Sequence, residues 1–236
     1  MLKRNVAVVL AAGQGKRMQS SVHKQYLLMG GKPVLFYCLR TMEESFIDEV
    51  VLVVGEGEEE YCRKEVVEKY GFKKVSRIVQ GGRERYHSVW NGIGAVEECG
   101  YLFIHDGARP FLDQASLERA RQAVEQFGAC VVGMPVKDTI KIADDNGFSK
   151  ETPRRDTVWT IQTPQVFTFE LVKKAYERLI KEEDLLKGKG VLVTDDAMVV
   201  EYFTDTAVKL IEGNYRNIKI TTPEDLQIAK VFLDSV

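Results

Sequence analysis

Apolar runs of strand length alternate with stretches of helical period over the first 136 residues of this chain. The runs at 5–12 ("NVAVVLAA"), 49–55, 74–80, 101–106 and 129–136 predict buried strands. Between them, 33–44, 58–71, 84–98 and 113–128 carry apolar residues at helical spacing. Pro33 falls in the first turn of the first of these helices, and Asp113 is the candidate N-cap of the last. Strands apolar on both faces, separated by helices, predict an α/β fold: an open, mostly parallel sheet with helices on both faces.

The pattern changes after Val136. Residues 137–167 alternate apolar and polar positions around Asn146-Gly147, a hairpin turn signal, and show no helical period. This stretch predicts an extended β-arm. An arm that cannot bury itself must dock elsewhere, most economically on a second copy of the chain, which predicts a homodimer. Helical segments at 169–183 and 194–203, strands at 207–213 and 217–221 and a last helix at 223–235 follow. The whole, 1–236, is expected to be one domain.

Charge narrows the function classes. A net charge of −2 and a pI of about 6.0 argue against a general nucleic-acid binder or membrane-surface protein, so any cationic site must be local. No run approaches the ~20 apolar residues that span a bilayer. "MLKRNVAVVLAAG" has the basic-then-apolar order of a signal peptide, but a glycine-basic segment follows its apolar run where a cleavage site would stand. Cys38, Cys62, Cys99 and Cys130 are far apart and lack metal-ligand spacing, which predicts reduced thiols and a cytoplasmic location.

In a parallel sheet, ligands bind beyond the carboxyl ends of the strands. After the first strand, Gly13 and Gly15 precede Arg17 and Lys24. This is neither a Walker loop nor a complete dinucleotide fingerprint, since Met18 stands where the third glycine would be. The glycines still let backbone N–H groups approach a phosphate, and the cations add full charge against a polyphosphate. A tight turn with solvated basic residues is the alternative. Gly81-Gly82 after the third strand, with Ser88 in the next helix, is either a second wall of a nucleotide cleft or a plain turn. Asp106, at the end of the fourth strand, suits Mg²⁺, which binds through one or two carboxylates plus substrate phosphates, and Arg109 suits a phosphate. Asp106 as a mere turn-former stays open. No nucleophile–base constellation stands out. None is needed if a substrate phosphate is the nucleophile, because its second pKa is near 6 and it is already ionised.

Together "AAGQGKRM", "HKQYL", "GGRERYHSV", "HDGARPF", "PVKDTIK", "TPQ", "TDDA" and "NIKITTPEDL", in this order, resemble the 2-C-methyl-D-erythritol 4-phosphate cytidylyltransferases of the non-mevalonate isoprenoid pathway. The resemblance implies a Rossmann-like domain that transfers a cytidylyl group from CTP to methylerythritol phosphate with Mg²⁺. It implies that Arg17 and Lys24 stabilise charge developing at the α-phosphate, and that Ala12, Gly13, Gly15, Gly82 and Ser88 contact CTP. Asp106 falls at the metal position, with Arg109 beside it. Arg155 and Lys219 match the cations that hold the acceptor phosphate, and Thr139, Thr163 and Thr194 match substrate-contacting hydroxyls. In that family the arm is exchanged within a homodimer, so Thr139 and Arg155 would serve the partner's site.

Two positions depart from the family's pattern. His23 stands where the family usually has proline, which would stiffen the approach to Lys24. Arg83 fills the aspartate position of "GGDxR", leaving the backbone contact intact and the side-chain contact open. A cytidylyltransferase for another polyol phosphate, such as ribitol 5-phosphate, would share the nucleotide side. An NAD-dependent oxidoreductase is disfavoured by the missing glycine.

Overall fold

The computed structural model describes residues 3–13, 15, 18 and 22–234. Strand β1 (Asn5–Ala11) leads through a single 3₁₀ turn (Lys24–Tyr26) and a small ladder, β2 (Leu28–Met29) with β3 (Lys32–Pro33), into α1 (Val34–Glu43). Next come β4 (Glu49–Val54), α2 (Glu59–Cys62) continuing as π-type turns over Arg63–Glu68, β5 (Val75–Gln80), α3 (Arg85–Gly94) and β6 (Tyr101–Asp106). Then follow α4 (Gln114–Phe127), β7 (Ala129–Pro135), the short pair β8 (Ile142–Ala143) and β9 (Ser149–Glu151), and β10 (Trp159–Thr168). Helices α5 (Phe169–Gly188) and α6 (Asp196–Phe203), β11 (Lys209–Glu212) and α7 (Pro223–Asp234) complete the described chain.

Seven strands form one sheet in the order β11-β7-β10-β6-β1-β4-β5. All neighbours run parallel except β10, which is antiparallel to both β6 and β7. Side-chain alternation along β1 divides the core into two layers. Ala7, Val9 and Ala11 pack with Leu35, Leu39 and Met42 of α1 and Leu117 and Val124 of α4. Val6 and Val8 pack on the opposite face with Val89 and Ile93 of α3 and Val172, Tyr176 and Leu179 of α5. The expected mostly parallel sheet with helices on both faces is therefore observed. At the start of α4, the Asp113 carboxylate accepts the Ser116 N–H at 2.6 Å, the predicted cap.

The stretch expected as one arm, 137–167, divides in two. Residues 159–167 belong to β10, inside the central sheet, and its segment Gln162–Phe167 is buried. The projecting part is the β8–β9 hairpin with its flanks, and every residue from 141 to 152 is exposed. Pro164 explains why β10 does not read as a central strand, because proline cannot donate to a ladder. The structure accommodates it where the β10–β7 register shifts, between Ile161 and Gln165. The segment 217–221 is not a paired strand, as the apolar alternation predicts, but an extended connection. Helix α3 ends at Gly94, four residues short of the expected end. Among the described residues no helix is long and apolar enough to cross a membrane.

Candidate active site

Parallel register brings the ends of the inner strands to one rim. Leu10 of β1 lies beside Asp106 of β6, and Ala11 beside Val54 of β4, which in turn pairs with Gln80 of β5. The chain leaving β1, β5 and β6 there encloses a cleft of about 520 Å³. Its walls include Ala12, Gly13, Gly15, Lys24, Gly82, Ser88, Asp106 and Lys219, residues drawn from five separate sequence segments. Gly15 has φ +62°, a left-handed conformation that favours glycine. The methylenes of Lys24 run over it: a Cβ at Gly15 would stand 3.3 Å from Lys24 Cγ. On the opposite wall the Ser88 hydroxyl accepts the Gly82 N–H at 3.0 Å and so fixes the glycine turn. Arg17 lies outside the described residues.

A second hollow of about 320 Å³ adjoins the cleft, lined by Arg109, Thr163 and Thr194 among others. Arg85, Asp106 and Lys219 line both spaces and form their common wall. Lys219 Nζ lies 2.7 Å from Asp106 Oδ2, while Arg85 Nε reaches Oδ1 at 3.4 Å. Burial alone would raise the Asp106 pKa. The charges of Arg85, Lys219 and Arg109 outweigh it and hold the carboxyl well below the usual carboxylate range. Asp106 is thus an anion at neutral pH.

Each member of this wall is held from behind. The Arg85 guanidinium makes a bidentate pair with Asp196, 2.8 Å at each nitrogen, and Asp196 is fully buried. The Tyr176 hydroxyl also donates to Asp196, and the Gln165 carboxamide oxygen accepts the N–H groups of Asp196 and Ala197 at 3.0 and 2.8 Å. Breaking such a buried pair by removing one partner costs about 3–5 kcal/mol, so Arg85 is rigidly placed. Lys219 is carried by an extended segment pinned to the exit of β6. Ile220 N–H donates to the Ala108 carbonyl at 2.8 Å, Arg109 Nη1 to the Asn217 carbonyl at 2.7 Å, and Asn217 Nδ2 to the Thr163 carbonyl at 2.9 Å.

Behind Asp106 runs a directed chain. The Asp106 N–H donates to Thr163 Oγ1 at 3.0 Å, Thr163 Oγ1 meets His105 Nδ1 at 3.0 Å, and His105 Nε2 meets the Arg109 carbonyl at 3.2 Å. A carbonyl only accepts, so Nε2 carries the hydrogen, and a neutral imidazole then accepts the Thr163 hydroxyl at Nδ1. Burial pushes the His105 pKa down to about 4, which agrees. The Thr163 hydroxyl thus bonds within the fold, and the residue also lines the second hollow, where the resemblance implies a substrate contact.

Thr139 and Arg155 line neither space. Both are exposed on the projecting segment, and Arg155 Nη1 donates to the Lys137 carbonyl at 3.2 Å. Sequence reasoning assigned no role to Arg85, Asp196, Tyr176 or Gln165. Arg85 and Asp196 stand in "GGRER" and "TDDA", and two opposite charges, each at the first residue of a helix, were the available signal. Nothing local tells that residues 111 positions apart are partners.

The model of the family 2-C-methyl-D-erythritol 4-phosphate cytidylyltransferase matches residues 5–235. A protein of that name from Lachnospira eligens is 48% identical over 230 residues, covering 97% of this chain and 99% of its own. Another from Caldanaerobacter subterraneus is 46% identical over 229 residues, covering 96% and 97%. The crystal structure of the 4-diphosphocytidyl-2C-methyl-D-erythritol synthase from Anaerococcus prevotii superposes with a TM-score of 0.85 at 35% identity, covering 98% of this chain and 96% of that one. With the glycine-walled cleft, the ionised Asp106 and its cations on one rim, this chain belongs to the 2-C-methyl-D-erythritol 4-phosphate cytidylyltransferase family.

Proposed function

We propose that the two adjoining spaces are the two substrate sites of cytidylyl transfer, with CTP in the glycine-walled cleft and 2-C-methyl-D-erythritol 4-phosphate in the second hollow. The single observation that carries this reading is the shared wall of Arg85, Asp106 and Lys219. The reaction joins one phosphate to another, and a wall common to both sites is where the two would meet. The acceptor phosphate, already ionised near neutral pH, attacks the CTP α-phosphorus in line; the new P–O bond forms as the bond to pyrophosphate breaks. Catalysis then rests on alignment and on neutralising charge. Lys24 lines the cleft, and the resemblance gives it, with Arg17, the charge developing at the α-phosphate. Lys219 holds the acceptor phosphate, joined by Arg155 and Thr139 of a second copy through the exposed arm.

Asp106 would suit Mg²⁺ as a single ionised carboxylate, because that ion binds through one or two carboxylates plus substrate phosphates and keeps several of its waters. Bound there, the ion would add positive charge against the triphosphate. The buried or half-buried thiols are all free, which supports a reducing, cytoplasmic setting. Pyrophosphate release tests the assignment, measured with each nucleoside triphosphate and with methylerythritol phosphate or ribitol phosphate as acceptor. Turnover is expected with CTP and methylerythritol phosphate. Turnover with ribitol phosphate alone, or with UTP in preference to CTP, would refute it.

A further inference from the structure

Glu58 lines neither substrate space, yet three donors converge on its carboxylate. His23 Nδ1 pairs with Oε1, the Tyr26 hydroxyl donates to Oε2 at 3.0 Å, and the Gly55 N–H donates to Oε2 at 3.0 Å. The acceptor is largely withdrawn from solvent, its side chain 16% exposed. Gly55 makes room for it, since a Cβ there would stand 2.8 Å from Oε2.

These donors come from two places. Gly55 directly follows β4, at the rim of the sheet. His23 and Tyr26 flank Lys24 and Gln25 in the 3₁₀ turn, and Tyr26 also stacks edge-on against Tyr61 of α2 at 5.0 Å. One carboxylate therefore ties both ends of the turn that carries Lys24 to the rim of the sheet. The backbone at His23 has φ −61° and ψ 138°. That φ is the one a proline ring imposes, and proline is what the family usually has here. Histidine reaches the same conformation without the ring, and its bond to Glu58 supplies a restraint that the ring would otherwise give.

We propose that Glu58, acting with His23, is a positioning residue for Lys24. It holds the turn so that the Lys24 ammonium meets the α-phosphate without first having to order its own backbone. The proposal rests on the role given to Lys24 above. A lysine side chain is long and loses much freedom when fixed, so the orientation of the backbone beneath it decides how often it stands in place.

The test compares Glu58→Ala, His23→Ala, His23→Pro, Lys24→Ala and the Glu58→Ala/Lys24→Ala pair in the full chain. Two quantities are read: kcat and CTP KM by pyrophosphate release, and amide exchange of peptides covering residues 22–28 by mass spectrometry. Glu58→Ala is expected to speed exchange across 22–28 and to lower kcat about tenfold or more, with KM within about threefold. His23→Ala should do the same more weakly, and His23→Pro should return kcat to within about threefold of the parent. Added to Lys24→Ala, the Glu58 change should cost less than about twofold, as residues acting through one another are non-additive. Should Glu58→Ala not fold, Glu58→Gln, which keeps the shape and one acceptor oxygen, should show a smaller loss in the same direction. Unchanged exchange, an unchanged kcat, an undiminished Glu58 effect in the Lys24→Ala background, or His23→Pro as poor as His23→Ala would each overturn the proposal. If Lys24→Ala leaves kcat intact, the Lys24 role itself falls, while exchange over 22–28 still decides whether Glu58 orders the turn.

Discussion

The common wall of the cleft and the projecting arm both carry cations assigned to the acceptor phosphate, and they are built on opposite principles. Arg85 and Lys219 are clamped to buried partners within the fold: Asp196 is wholly enclosed, and Lys219 is pinned through Asn217 and Ile220. Arg155 sits on a segment with no core, beside a hairpin whose Ile142 and Phe148 are 45% and 72% exposed. A cation bonded into the sheet is preorganised within one chain, at the expense of burying its counter-charge. A cation on a bare arm gains a fixed position only when another surface receives it. The wall thus holds its cations within one chain, while Arg155, on the proposed reading, takes its working place only when a second copy receives the arm.

The sharpest way to break this comparison pairs one residue from each region. Lys24→Ala should lower kcat about 100- to 1,000-fold with little change in CTP KM, the mark of an interaction made in the transition state. Arg155→Ala should lower kcat/KM for the acceptor about 10- to 100-fold, as lost charge-assisted phosphate contacts do. Mixed and allowed to exchange, the two variants should recover about a quarter of parental activity. Random pairing makes half the dimers mixed, and an exchanged arm leaves one of their two sites intact. If each arm serves its own chain, no intact site arises and mixing restores nothing. That result, or a fully active monomer, would erase the distinction between the regions.

The two regions were also unequally legible. Strand and helix order up to Val136 follows from periodicity because β1, β4, β6 and β7 are buried on both faces. Strand β5, whose run at 74–80 reads as a buried strand, is instead the sheet edge and has no fully buried residue. The glycine turns and Asp106 follow from the rule that parallel strands present ligands at their carboxyl ends. What failed was long-range. Gln162 to Phe167 are buried only because β10 inserts between β6 and β7, and no local pattern distinguishes that from an arm. The "NIKIT" run alternates as a strand would, but its hydrogen bonds go to the β6 exit and to side chains instead of a ladder. The clamp on Arg85 was invisible for the same reason: its partner is close in space and remote in sequence.

A smaller effect tests how firmly the wall is anchored. His105 is enclosed and neutral, its pKa pushed down to about 4 against an ordinary value near 6.5. Between those values the unfolded chain binds a proton that the folded chain refuses, so stability falls as pH falls from 6.5 to 4. One such histidine contributes up to about 3 kcal/mol over that window. Asp106 acts in another range. Its pKa is held below the usual carboxylate value, so its contribution is complete above about pH 4 and is lost only on further acidification. His105→Gln should flatten the pH dependence of the denaturation midpoint between pH 6.5 and 4. An unchanged slope would mean that the histidine is not sealed in. The arm, which encloses no titratable side chain, should give no comparable slope when its charges are replaced.

The smallest effect compares one chemical bond in the two settings. Asp113 Oδ1 accepts the Ser116 N–H at 2.6 Å at the start of α4, and Asp144 Oδ1 accepts the Asn146 and Phe148 N–H groups at 3.0 and 2.9 Å in the arm hairpin. Both carboxylates satisfy backbone donors, but only the first belongs to an element packed in the core. Asp113→Ala should cost about 1 kcal/mol, or more through its second bond to Asn214, and lower Tm by about 2–4 °C for a chain of this size. Asp144→Ala loosens a hairpin that is already in water, so the folded core does not register it; Tm should shift by less than about 1 °C at fixed protein concentration. Two equal shifts would mean that the hairpin melts with the core. If the Asp144→Ala shift instead grows on dilution, the hairpin is held by a second chain, because mass action makes Tm depend on protomer concentration only when folding and association are coupled.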